Sequence, residues 1–89
     1  MTEKQLLLGS LSNDLLRVAN LTFRGSTVAA HKFMLEAKKW AAQLEDHKLK
    51  EYIAKIVQDV LIDANLTQDR AERLLMYSIL LQNYTLKNN

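Results

Sequence analysis

No proline occurs along these 89 residues, and only two glycines do, Gly9 and Gly25. Proline pre-sets turns and ends helices, and glycine supplies backbone conformations that tight turns need. Average usage would place roughly four prolines in a chain of this length. Without them the chain has few places to reverse direction, so its elements must be long and its connections few and short. This length suits one domain with a core of its own, so residues 1–89 read as a single helical unit.

The apolar residues recur at helical spacing throughout. The cleanest run is 47–64, where Leu49, Tyr52, Ile53, Ile56, Val57, Val60, Leu61 and Ala64 share one face. Lys48, Glu51, Lys55, Gln58 and Asp59 fall on the other, and Asp46 is placed to cap the start. Before it, residues 26–45 begin behind Gly25 at Ser26 or Thr27, with Ala30, Phe33, Ala37, Trp40, Ala41 and Leu44 in line. A first helix over about 2–20 packs Leu7, Leu8, Leu11, Leu15 and Val18, with Gly9 weakening its first turns. A last helix over about 68–86 starts behind Thr67. Four helices with short connections make sequential neighbours antiparallel, so the expected fold is all-α, an up-down-up-down four-helix bundle.

A short internal similarity accompanies this pattern. Residues 14–22 (DLLRVANLT) align with 59–67 (DVLIDANLT), half a chain later. One reading is a pair of related helical hairpins, with Asn20 and Asn65 ending a helix and Thr22 and Thr67 opening the next. The other is convergent capping chemistry at two similar turns.

Composition narrows the function classes. There is no cysteine, which excludes disulfides and thiolate metal sites. The net charge of +2 is small, and the lysines between Lys32 and Lys55 are interleaved with Glu36, Glu45, Asp46 and Glu51. That mixture reads as a solvated face rather than a phosphate-binding stripe and argues against a nucleic-acid partner. The apolar run Leu6–Leu8 is too short for a signal peptide, and no stretch is long enough to span a membrane. Sequons at Asn20, Asn65 and Asn83 then count as chance, and the expected compartment is the cytoplasm.

Two histidines limit the chemistry available. His47 falls at the turn between the second and third helices, and His31 projects away from the core face of its helix. Ala30-His31 resembles the opening of the histidine phosphotransfer motif, carried by an exposed histidine on a helical bundle. That resemblance implies phosphoryl transfer at His31, but the family's lysine and glycine at the third and fourth following positions are here Met34 and Leu35. Arg24, with six residues before His31, resembles in spacing the Arg-x4–6-His element of helical nucleotide-binding ribonucleases. No second acid or base stands beside it in the sequence, as phosphodiester cleavage would need. Neither a Glu-x-x-His pair, a His-Glu-x-x-His motif nor a glycine-rich phosphate loop occurs, so no metal or cofactor is expected. Chemistry at His31 is therefore the alternative, and a non-catalytic role the main reading.

The positive signal is surplus hydrophobicity. In the last helix Ala71, Leu74, Leu75, Ser78, Leu81 and Thr85 already supply a core face. Met76, Tyr77, Leu80 and Tyr84 form a second stripe beside it, with Arg73 as a rim charge. A surface helix in a monomer is not normally apolar nearly all round. Val28 and Leu35, on the His31 face of the second helix, form a weaker patch. The expected function is a helical protein–protein interaction or regulatory module, a homodimer or the binder of a partner protein.

Overall fold

The computed structural model describes residues 1–62 and 65–87. They form four helices, α1 (Glu3–Phe23), α2 (Thr27–Leu44), α3 (Glu51–Ile62) and α4 (Gln68–Lys87), with no strand among the described residues. The bundle is all-α as the spacing predicts. Helix α1 packs against both α2 and α4, and α3 packs against α2.

Contacts between distant residues fix the directions. The Lys4 ammonium, at the start of α1, donates to the Lys48 carbonyl beyond the end of α2, 3.4 Å away. At the other end, the Gln68 amide donates to the Thr22 carbonyl at 3.4 Å, joining the end of α1 to the start of α4. Midway, the buried Ser12 hydroxyl donates to the Ser78 carbonyl at 2.7 Å. Both neighbours of α1 therefore run antiparallel to it. Ser12 and Ser78 are small enough to let the two helices approach, and their bond satisfies a buried hydroxyl.

The core is built from Leu8, Leu11, Leu15 and Val18 of α1 with Met34, Ala37, Ala41 and Leu44 of α2. Ile53, Val57 and Val60 of α3 and Leu74 and Leu81 of α4 close it. Three alanines on the inner face of α2 (Ala30, Ala37 and Ala41) are fully buried, so that helix lies close against its neighbours. Phe33 and Trp40, expected beside them, are only partly buried, whereas Met34 is inside. An unbranched thioether side chain fills an irregular core gap, while the two rings pack against the core from its edge.

Several boundaries differ from the sequence pattern, each for a local reason. Helix α1 is unbroken through Gly9: the Thr2 hydroxyl accepts from the Gln5 N–H, and the Gln5 side chain accepts from the Thr2 N–H. This capping box and the burial of Leu7, Leu8 and Leu11 hold the first turns despite the glycine. The helix also runs past Asn20 to Phe23. There the Ser26 N–H reaches the Leu21 carbonyl and the Gly25 N–H reaches the Thr22 carbonyl, with Gly25 at φ 78°. That closure is a Schellman motif, which needs a residue tolerant of positive φ.

Thr22 accordingly does not open the next helix; its hydroxyl bonds to the Val18 carbonyl within α1. Thr67 does cap α4, accepting from the Arg70 N–H at 3.1 Å. The two copies of the sequence similarity thus perform different jobs at their threonines. Ser26 stands at the N-cap of α2 without a side-chain capping bond.

Helix α3 starts at Glu51 rather than 47. The Asp46 and His47 N–H groups bond back to Gln43 and Leu44, so Asp46 continues the last turn of α2 instead of capping α3. Leu49 still packs on the core from the connection. Ala64, the last apolar position expected of the third helix, lies outside the described residues.

Candidate functional site

The apolar stripe expected on α4 is divided by the fold. Met76 and Leu80 face outward, 51% and 39% exposed, while Tyr77 and Tyr84 are partly buried against the core. Tyr84 meets Tyr52 of α3 edge-to-face, ring centroids 6.2 Å apart, and Lys50 lies 5.9 Å over its ring. On α2, Val28 and Leu35 are strongly exposed, as is His31 between them.

On the other flank of α4, Ile79 and Leu86 are also exposed. Leu86 and Gln82 form one wall of an open groove of about 390 Å³ between α4 and α1, with Leu6, Gly9 and Asn13 on the opposite wall. Residues 74–86 carry no charged side chain, nor do residues 5–13 of α1. The antiparallel pairing at Ser12 and Ser78 brings these two uncharged runs side by side.

Tyr77 is drawn aside by a polar network. Its hydroxyl donates to the Asp59 carboxylate of α3. Arg70, 2% exposed, donates to the other Asp59 carboxylate oxygen and to the Asp59 backbone carbonyl, both at 2.8 Å. Arg73 approaches the same carboxylate at 3.5 Å and stays about half exposed. Burial pushes the Asp59 pKa up, but the bonds from Tyr77 and Arg70 and the two guanidinium charges outweigh it, leaving the carboxyl below its ordinary value. Burial, followed by the Asp59 bond and charge, raises the Tyr77 phenol. This cluster clamps α3 to α4. Asp59 was expected on the solvent face of its helix, and a buried Arg70 had no signal in the spacing.

A buried acid lies between α1 and α2. The Asp14 side chain is 3% exposed and accepts from the Trp40 indole N–H at 2.8 Å, with Arg17 3.7 Å away. Arg17 in turn lies 5.3 Å over the Phe33 ring. Desolvation and the nearby Glu36 raise the Asp14 pKa against the opposing effects of Trp40 and Arg17. A raised folded-state pKa means that ionised Asp14 costs stability at neutral pH, and the cost fades as pH falls through that pKa. Asp14→Asn, which keeps an acceptor for Trp40, should raise the urea midpoint at pH 7. The gain should shrink on acidification; a lower midpoint at neutral pH would show the charge to be needed.

Arg24 is the C-cap residue of α1 and His31 lies one turn into α2, both exposed. Of the two positions that depart from the phosphotransfer pattern, Met34 is in the core and Leu35 is on the surface. His47 lies in the α2–α3 connection with Nε2 4.0 Å from the Glu3 carboxylate. Among the described residues no three His, Asp or Glu side chains are grouped to hold a metal ion, and no helix is long and apolar enough to cross a membrane. The chain matches no protein-family model, no curated protein and no solved structure.

Proposed function

We propose that this protein is a non-catalytic helical interaction module that works through the outer surface of α4, joining a second copy or a partner protein. The observation that carries this reading is the uncharged run 74–86, from which Met76, Ile79, Leu80 and Leu86 remain exposed. Interface centres are depleted in charge and enriched in aromatic and Met side chains, and isolated exposed apolar residues are not contiguous in this way. Tyr77 and Tyr84, anchored on α3, form a rigid border to the surface, and Val28 and Leu35 of α2 offer a smaller second patch. The lysines of α2 and α3 remain interleaved with acids, which favours a protein partner over a nucleic acid. We place this role in the cytoplasm.

Leu80→Lys is the test. Burying a large apolar side chain contributes about 1.5–3 kcal/mol, so its replacement by a charge should weaken association by ten-fold or more. Circular dichroism should stay helical, because Leu74 and Leu81 in the core are untouched. Association unchanged by Leu80→Lys, measured by light scattering after size exclusion, would remove this surface from consideration.

A further inference from the structure

We infer that the outer face of α2 docks an acidic amphipathic helix of another protein. This face lies apart from the surface of α4, and the inference goes beyond the proposed function without resting on it. Its centre is a row of three exposed apolar residues, Val28, Leu35 and Ala42, each seven residues after the last. Val28 is 73% and Leu35 65% exposed, so the fold leaves both open. Seven residues are close to two helical turns, which places the three along one line of the helix. A helix laid alongside meets such a line as a seam for its own apolar side chains.

The charges beside the row select the occupant. Lysines and acids are interleaved in the sequence, yet on α2 the fold sorts them. Lys32 and Lys39 flank the row on one side, His31 and Lys38 on the other. Glu36, the only acid from Thr27 to Leu44 in the sequence, is on the α1 flank, where it lines a small cavity with Asp14. Acids return only past the helix end, at Glu45 and Asp46. The first turn of α2 holds no acid and Ser26 makes no side-chain capping bond, so the positive end of the helix adds to the field of Lys32. Both flanks carry cations, so a second copy laid on this face would set ammonium groups against one another. A helix with carboxylates on either side of an apolar stripe matches the row and both flanks at once. A nucleic acid would use the lysines but press Val28 and Leu35 against phosphates. Helices that lie on anionic lipid present aromatic rings to it. The two rings of α2 are committed to α1, where Trp40 bonds Asp14 and Phe33 lies under Arg17.

The probe is a synthetic peptide as long as α2, with leucines in one row at the same spacing and glutamates on both flanks. It is titrated with the full chain, followed by fluorescence anisotropy, to about 100 µM, where even weak association registers. The wild type should bind within that range. Lys32→Glu combined with Lys39→Glu should weaken binding by about ten-fold or more, since two attractions become repulsions. Leu35→Gln should weaken it by about five-fold or more, as should replacing the leucines of the peptide by glutamines. All three substituted side chains are exposed, so circular dichroism should stay helical. Leu80→Lys should bind the peptide as the wild type does, which keeps failure of the α4 surface distinct from failure here. No binding by the wild type at about 100 µM would overturn the inference. Binding that survives Leu35→Gln would overturn it as well, reducing the face to charge alone. Tighter binding to a DNA duplex or to phosphatidylserine vesicles through the same lysines would overturn it in favour of a nucleic acid or a lipid surface.

Discussion

Asp59→Ala should lower the unfolding free energy by about 2–4 kcal/mol, because it takes one partner from an ion pair whose Arg70 side is buried and whose Asp59 side is 26% exposed. The carboxylate is the shared acceptor of Arg70 and Tyr77 and lies 3.5 Å from the Arg73 guanidinium. Without it, the guanidinium of Arg70, 2% exposed, keeps its bond to the residue 59 backbone carbonyl but loses the ion pair to the Asp59 carboxylate. Asp59→Asn retains an acceptor and should cost less, which separates loss of charge from loss of the hydrogen bond. Urea unfolding followed by circular dichroism measures both. A loss below about 1 kcal/mol for the alanine variant would place the cluster among surface ion pairs of little consequence.

The same cluster makes an acid-side prediction. The folded-state pKa of Asp59 is lowered, so its contribution is present above the unfolded aspartate value of about 4 and fades as pH falls from there through the folded value. The difference between wild type and Asp59→Asn should narrow below about pH 4. Asp14 differs in sign, since its ionised form is the costly one. Asp14→Asn should therefore be the stabilising member of the pair at neutral pH and Asp59→Asn the destabilising one.

Leu15→Ala should cost about 3–5 kcal/mol, and Ile56→Ala about 2–3 kcal/mol, within the range for large-to-small core substitutions. Leu15 is fully buried on α1, between α2 and α4, so the cavity it leaves has little freedom to collapse. Ile56, 4% exposed on the shortest helix, sits nearer the edge of the bundle. Hydrophobic periodicity makes α3 the most sharply defined helix, yet connectivity makes α1 the central one. Midpoints in which Ile56→Ala is the more damaging would reverse that ranking.

The positions that sequence spacing located best lie at the middles and outer faces of the helices. Leu8, Leu11, Leu15, Val18, Ile53, Val57, Val60, Leu74 and Leu81 are in the core, and His31, Val28 and Leu35 are on the surface. It did less well at flanks and ends. Asp46 has the chemistry of an N-cap, but it follows Leu44 and Glu45 too closely to leave the last turn of α2. Thr22 and Thr67 share a local sequence, and only the second caps a helix. The two clusters around Asp14 and Asp59 were invisible because their members lie on different helices, 26 residues apart for Trp40 and Asp14 and 11 for Arg70 and Asp59.

By itself, then, the sequence determined four helices, their inner faces and their order, because helical periodicity, caps and the lack of proline act within a few residues of one another. It also determined that α4 has more apolar side chains than a core face uses. Which of those remain open was decided only when the helices packed. A residue about a quarter-turn from the core face is covered or exposed according to the neighbour beside it. Asp59 draws Tyr77 onto α3, and Tyr52 packs against Tyr84. Ser12 and Ser78 set α1 against the other flank, and there Gly9 leaves a groove open beneath Leu6 and Leu86.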